Sequence, residues 1–250
     1  MDAQKAIPEQ EINEFAERLR QAAGENLASV ILYGSAAGGE FHPSFSNINL
    51  LCVFRDISFS ALQTLRPAVA WWTAQKRSAP LLLTREELNR SADVFAIELL
   101  DMKQRYRLLY GEDVLRDLAV PMHLHRTQVE YELRERLILL RERMLLAVDD
   151  RKQLWDLLLS SLGAFTTLFR HALIALGEAA PGSKRLAVQS LAARVSFDPL
   201  PFLQLLDIRE KRADREKLNV NEIAGQYLAG VQQTVAAVDR MLDSPGPRPA

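Results

Sequence analysis

The sequence has a single cysteine among its 250 residues, Cys52, which lies in an apolar stretch. One thiol cannot form a disulfide framework, and a lone cysteine in a predicted strand is more often a buried apolar residue than a nucleophile. This usage favours a reducing compartment, so we expect a cytoplasmic location. The polar first ten residues also lack the pattern of a signal peptide.

The chain also lacks an excess of either charge, with 31 Lys and Arg against 32 Asp and Glu. A balanced chain has no global field that would draw it to nucleic acid or to a membrane surface. No uninterrupted apolar run approaches the roughly 20 residues that span a bilayer. We therefore expect no membrane partner and no strong nucleic-acid binding, while a hydrophobic content of 48% suffices for a core.

The hydrophobic pattern divides the chain into a mixed half and a helical half. The predicted strands are 28–33, 48–54, 81–84 and 94–99. The predicted helices between them are 12–23, 58–75, 85–89 and 101–110. Pro67 is expected to kink or break the second of these helices, and Thr84-Arg85-Glu86-Glu87 predicts a capping box at the start of the third. After residue 123 no strand is predicted, and the predicted helices are 127–148, 153–176, 183–194, 199–210 and 221–242.

This pattern predicts an α/β (α+β) fold for residues 1–119, with a mixed sheet and flanking helices. An all-α helical bundle is expected over 120–243. The Pro- and Gly-rich residues 244–250 are expected to be a disordered tail.

The most informative motif joins the first two predicted strands. Ile31-Leu32-Tyr33 leads into Gly34-Ser35, then Gly38-Gly39-Glu40, and Ser46-Asn47-Ile48-Asn49-Leu50 opens the next strand. Gly-Ser directly after a strand, with a polar-x-polar pair at the start of the next strand, is stronger evidence for a fold than Gly-Ser alone.

This order of a strand, Gly-Ser, a short linker and a polar-x-polar pair resembles the nucleotidyltransferase superfamily. That group includes DNA polymerase beta and the aminoglycoside nucleotidyltransferases, and the likeness is to the bacterial antibiotic-modifying and minimal type. It covers about residues 10–118. It implies a nucleotide cleft that is flanked by a helical bundle.

The resemblance assigns Gly34, Ser35 and Gly38 to the binding of a nucleotide triphosphate. In the family, two aspartates hold Mg²⁺ ions, and a third acid on a neighbouring strand helps to deprotonate the acceptor hydroxyl. Attack at the α-phosphorus then releases pyrophosphate. An active member would use Mg²⁺ with ATP or another nucleoside triphosphate.

At the two metal positions this sequence has Asn47 and Asn49. Mg²⁺ favours anionic oxygens, and a neutral amide brings no charge. The stretch 78–84 holds no carboxylate, so Glu98 is the nearest strand acid, with an ion pair to Lys103 or Arg105 as its alternative. The degenerate catalytic positions are thus Asn47, Asn49 and Glu98, and no residue is assigned to a metal.

Other polar residues have weaker interpretations. Glu40 and His42 could approach the cleft, but a solvated loop position is the more common outcome for such residues. His123 and His125 form an H-x-H pair without an evident third metal ligand, which favours a polar linker. Of Trp71 and Trp72, we expect one in the core and the other on a helix–sheet seam.

Three hypotheses on function follow from these observations. The first, which we favour, is a catalytically impaired nucleotidyltransferase-fold protein that still binds a nucleotide or a partner in the cleft between its halves. The second is an active enzyme that moves a nucleoside monophosphate onto a small-molecule or protein hydroxyl. The third is an interaction module whose helical half binds a protein partner.

Overall fold

The computed structural model describes residues 7–39, 41 and 46–243, and only the backbone of 241–243. The chain divides into two compact units, one up to Met122 and one from His123. The predicted tail 244–250, together with Glu40 and His42, lies outside the described residues.

The described part of the N-terminal unit is built on a four-stranded mixed sheet with the order β3-β2-β1-β4. β1 pairs antiparallel with β2 and with β4, while β2 pairs parallel with β3. The strands are β1 (Leu27–Tyr33), β2 (Asn49–Phe54), β3 (Leu81–Thr84) and β4 (Tyr106–Gly111). The helices are α1 (Glu9–Ala23), α2 (Phe59–Ala74), α3 (Arg85–Arg90) and α4 (Ala96–Gln104). The predicted mixed sheet with flanking helices is confirmed.

The two faces of this sheet carry separate cores, because successive side chains of a strand point to opposite faces. Residues of one alternation pack with α1 and α2 and include Val30, Leu32, Ile48, Leu50 and Cys52. Residues of the other pack with α3 and α4 and include Ile31, Leu51, Val53, Leu88 and Leu99. Asn49 lies two residues before Leu51, so it shares the face that α3 and α4 cover.

Two of the local predictions in this unit are wrong. Residues 96–104 form helix α4, not a strand, and 106–111 form strand β4, not a helix. The alternating Ile97 and Leu99 also fit a short helix, whose buried residues are Ala96, Ile97, Leu99 and Met102. β4 pairs along only one of its edges and is only partly buried, so its apolar pattern is weak.

Among the other local predictions, the capping box and one tryptophan in the core are confirmed. The capping box is present, since Thr84 Oγ1 accepts from the Glu87 amide at 3.1 Å and Glu87 Oε2 accepts from the Thr84 amide at 2.8 Å. Trp72 is buried and stacks on Phe15 with ring centroids 4.8 Å apart. Trp71 is half-buried with the Arg18 guanidinium 4.5 Å above its ring. α2 runs through Pro67 without the break predicted there as an alternative to a kink.

The second unit is helical over its described residues 123–243, as predicted. Its helices are α5 (His125–Ala147), α6 (Arg151–Ala175), α7 (Lys184–Val195), α8 (Leu200–Arg209) and α9 (Val220–Asp243). α6 packs against the other four and is buried along most of its length. A cluster of rings fills the space around it: Phe165, Phe169, Phe197, Phe202 and Tyr227.

α6 is a long helix whose apolar residues are interrupted by polar and charged ones. By length and composition alone it could cross a bilayer, with a mean hydropathy of 1.4 in its most apolar window. However, 61% of that window is buried inside the protein. A central core helix has these same properties, so the observation is weak evidence for a membrane segment.

Candidate functional site

The Gly-Ser turn begins directly where β1 ends. Gly34 has a φ of +77°, a left-handed conformation that costs other L-residues about 1–2 kcal/mol. Its amide donates to the Arg105 carbonyl at 3.1 Å, and its own carbonyl accepts from the amides of Ala37 and Gly38. These bonds fix a tight turn over residues 34–38.

The hydrogen bonds of the turn decide which donors a ligand could use. The amides of Gly34, Ala37 and Gly38 already donate to carbonyls of the protein. Within the described part of the chain, these backbone bonds leave the Ser35 amide unused. Ser35 is half-buried, and its side-chain hydroxyl is a second donor. Ser35 is therefore the best-placed donor of the turn. Gly38 instead closes the turn through its amide and has no side chain that would displace Arg105.

Asn49 lies against this turn. In β2 it pairs directly with Tyr33, the residue before Gly34. A Cβ atom added to Gly34 would lie 3.2 Å from Asn49 Nδ2, so a glycine at position 34 makes room for the amide. Asn47 is exposed just ahead of the strand, and the buried Ile48 separates the two. The structure thus brings Gly34 and Asn49 together, in the arrangement that the motif predicted.

Glu98 is not on a strand, which corrects the prediction for the third acid. It is exposed in the first turn of α4, on the sheet face that also holds Tyr33 and Asn49. Burial is the main cause that raises the pKa of Tyr33, and Cys52 and Glu98 raise it further. Of the alternative partners predicted for Glu98, Lys103 instead donates to the carbonyls of Arg116 and Leu118.

Arg105 is a residue of this site that the sequence reading missed. Its carbonyl accepts the Gly34 amide, and its side chain crosses Gly38. A Cβ atom at position 38 would lie 2.5 Å from Arg105 Cδ and 3.4 Å from its Nε. A cation therefore lies over the turn that faces phosphate in the resemblance. No local motif marks it, because about 70 residues separate Arg105 from Gly34.

The donors present do not fit a pair of Mg²⁺ ions. Asn47 and Asn49 offer neutral carbonyl oxygens, whereas Mg²⁺ is held in proteins mainly through carboxylates and phosphates. Among residues 7–39, 41 and 46–243, no group of three or more His, Cys, Asp or Glu residues could hold a metal ion. The described residues of this site therefore do not supply the ligands of a two-magnesium centre.

The predicted H-x-H pair does not act as a unit. His123 is exposed, whereas His125 is buried at the start of α5 and bonds to His171. The interpretation of both residues as a polar linker is therefore wrong for His125. A 46-residue separation hides this partner from any local pattern.

A pocket of about 240 Å³ lies at the opposite end of the sheet. Its lining comes from the ends of β2 and β3 and includes Phe54, Arg55, Thr84, Arg85 and Glu112. The candidate site lies where β2 begins, so this pocket does not belong to it. Arg85 and Glu112 also form an ion pair with each other across the pocket lining.

Comparison with known proteins supports the fold through structure only. No protein-family model matches the sequence, and no curated protein matches it. The structure of spectinomycin adenyltransferase AAD(9) from Enterococcus faecialis, solved with ATP and spectinomycin, matches with a TM-score of 0.54. The match is 15% identical and covers 90% of this chain and 99% of that one.

A nucleotidyltransferase-like protein from Exiguobacterium sibiricum 255-15 also matches, with a TM-score of 0.33 and 15% identity. That match covers 90% of this chain and 75% of the other, and its low TM-score adds nothing to the argument. The mixed sheet, the Gly34 turn beside Asn49 and the likeness to the adenyltransferase agree with one another. The fold of this chain is therefore similar to that of the adenyltransferase.

Proposed function

We propose that this protein binds a nucleoside triphosphate at the Gly34–Ser35 turn and is impaired in metal-dependent nucleotidyl transfer. The proposal depends on one observation, the Asn49 amide beside Gly34, where the family resemblance implies a carboxylate. The turn keeps a donor for phosphate oxygens at Ser35. The residues beside it bring no negative charge for a metal.

The comparison suggests which nucleotide to test. The adenyltransferase with the similar fold was solved with ATP, so ATP is the natural first probe for this chain. Arg105, which crosses Gly38, supports a ligand that carries phosphate groups, because guanidinium groups bind phosphate well. Adenosine, which lacks phosphates, serves as the contrasting ligand.

The expected loss of catalysis can be estimated from the missing charges. Each charge-assisted contact contributes about 1.5–3 kcal/mol, so two of them correspond to roughly two to four powers of ten in rate. A nucleotide can still bind under these conditions, because Ser35 and Arg105 do not depend on a metal. Binding without efficient turnover is therefore the expected behaviour.

Isothermal titration calorimetry with ATP tests the binding site. The variant Ser35→Ala loses the hydroxyl donor, and we expect its Kd for ATP to rise about three- to tenfold. Ser190→Ala, which changes an exposed serine in the helical unit, is the matched control and should leave the Kd unchanged. Equal affinities for ATP and adenosine, with no effect of Ser35→Ala, would contradict a phosphate-binding turn.

A pyrophosphate-release assay tests the impairment. With Mg²⁺, ATP and a panel of hydroxyl acceptors, we expect no release above the background without protein. Turnover by the unmodified protein would instead support the second hypothesis, an active transferase in which Asn47, Asn49 and Glu98 suffice. The two assays are independent, so a failure of binding and a gain of activity give different results.

A further inference from the structure

Helix α5 exposes an apolar stripe on the side that faces away from its own core. Tyr131, Ile138 and Leu145 follow one another at seven-residue spacing and are 63%, 54% and 77% exposed. Seven residues are close to two turns of an α-helix, so the three side chains lie on one line. The buried residues Val129 and Leu140 lie on the opposite side of the helix.

The stripe has an acidic edge and a basic edge. At about 100° per residue, Glu135 and Glu142 lie on one side of the stripe, and Arg134 and Arg141 lie on the other. All four side chains are exposed. Arg134 pairs with Glu130 and Asp239 of its own chain.

The remaining three charges have no such pair. In the described residues, Glu135, Glu142 and Arg141 form no ion pair. Among the described residues, the ion pairs within α5 are therefore confined to its first half, where Arg134 pairs with Glu130 and Arg136 with Glu132.

From this arrangement we infer that the α5 stripe is a dimer interface for a second copy of this chain, with the two α5 helices parallel. A two-fold axis along the helices places the acidic edge of one copy against the basic edge of the other. Glu142 then faces Arg141 of the second copy at nearly the same height. An antiparallel pair would place acid against acid and base against base, so the charges select the parallel arrangement.

The stripe consists of three exposed apolar side chains about 10.5 Å apart along the helix, with charged residues between them. Their alignment on one face favours association, and their small number keeps it weak. From Tyr131 to Leu145 the stripe is about 21 Å long. Because association must also offset the lost freedom of two chains, we expect a Kd of roughly micromolar order.

Sedimentation velocity over a concentration series tests the interface. The unmodified protein should move from the 28.2 kDa monomer towards twice that mass as its concentration rises. Ile138→Asp places charges at the centre of the stripe and should weaken the dimer by about tenfold or more. Leu186→Asp, at an exposed leucine of α7, is the matched control and should dimerise normally.

Circular dichroism shows whether each variant is still folded. Because Ile138 and Leu186 are both exposed, we expect both variants to fold. A protein that stays monomeric at every concentration would overturn the inference. So would a dimer that folded Ile138→Asp does not weaken.

Cross-linking tests the direction of the helices. Native Cys52 is buried, so Leu145→Cys adds the single reactive thiol. Parallel helices bring the two Leu145→Cys positions together, and mild oxidation should link the copies through a disulfide, whereas Leu186→Cys should stay unlinked. Cross-linking only in a mixture of Leu145→Cys with Tyr131→Cys would show antiparallel helices and overturn the arrangement.

Charge exchange tests the edges themselves. Arg141→Glu should weaken the dimer, because it faces Glu142 of the other copy. Exchanging the two residues, with Arg141→Glu and Glu142→Arg together, restores opposite charges and should return the Kd to within about threefold of the unmodified protein. Equal weakening in the single and the double variant would contradict the edge pairing.

Discussion

His125 Nε2 lies 2.8 Å from His171 Nδ1 in the interior of the helical unit, and both rings are buried. A single proton can join these two nitrogens as a hydrogen bond while both imidazoles stay neutral. Burial, and secondarily the neighbouring His171, lowers the pKa of His125 to about 4. The pair ties the start of α5 to α6, and it is stable only while it is uncharged.

This pair predicts a pH dependence of stability. In the unfolded chain the pKa of a histidine is about 6.5, so between pH 6.5 and 4 the unfolded state binds the proton more readily than the folded state. The free energy of unfolding should therefore fall as the pH falls through this window, and this contribution should level off below pH 4. His125→Gln keeps an amide at the position of Nε2 but cannot titrate.

Urea unfolding at pH 7 and pH 5 measures the effect. We expect the loss of unfolding free energy between these two values to be about 2 kcal/mol smaller for His125→Gln than for the unmodified protein. Carboxylates elsewhere contribute equally to both proteins and cancel in the difference. Equal losses in the two proteins would show that His125 titrates normally.

Gly111, at the end of β4, is a position where an added side chain should destabilise the fold. It has a φ of +77°, and a Cβ atom there would lie 2.0 Å from the Ala28 carbonyl oxygen of the neighbouring strand. Gly111→Ala therefore combines backbone strain with a clash against a main chain that cannot move aside. We expect a loss of about 2–5 kcal/mol in unfolding free energy, measured by urea titration.

Gly177 provides the control for this substitution. It has a φ of +82°, but a Cβ atom there would meet open space. Gly177→Ala should therefore cost only the strain of about 1–2 kcal/mol. If the two variants were equally stable, the close approach of β1 and β4 at Gly111 would be wrong.

Arg105 predicts an effect on phosphate recognition. Arg105→Met keeps an apolar stem across Gly38 and removes the guanidinium, so we expect the affinity for ATP to fall about tenfold and that for adenosine to change little. Calorimetric titration of both ligands measures the split. Arg107→Met, at an exposed strand residue that pairs with Glu9, is the control and should change neither. Equal losses for ATP and adenosine would indicate a structural role for Arg105.

Local patterns predicted much of the fold because their causes are local. The buried strands β1 and β2, the Gly34 turn between them and the Thr84–Glu87 capping box all depend on neighbouring residues. The prediction for 94–111 was wrong for two reasons. The short apolar run around Ile97 fits a buried strand as well as a short helix, and β4 has a weakly apolar sequence. β4 is held in the sheet by its backbone pairing with β1, which its own sequence does not reveal.

The sequence predicted only those residues of the candidate site that are close to one another along the chain. Gly34 and Asn49 lie in one motif, and the structure places them side by side. Arg105 reaches the turn from the junction between α4 and β4, and Glu98 takes its place through α4. Such contacts between distant segments follow from tertiary packing, so neither the position of Glu98 nor the part played by Arg105 could be derived from spacing.

The central claim is that this site has a turn that binds phosphate groups, while Asn47 and Asn49 bring no charge at the positions where the resemblance implies magnesium ligands. Restoring that charge with Asn47→Asp and Asn49→Asp, and measuring the Kd for ATP with Mg²⁺ and with a chelator, tests it most directly. Asn89→Asp with Asn221→Asp adds the same charge at exposed positions elsewhere and is the control. We expect the unmodified protein and the control to bind ATP alike under both conditions. The restored variant should bind at least about tenfold more tightly with Mg²⁺. Strong Mg²⁺ dependence in the unmodified protein, or none in the restored variant, would contradict the account.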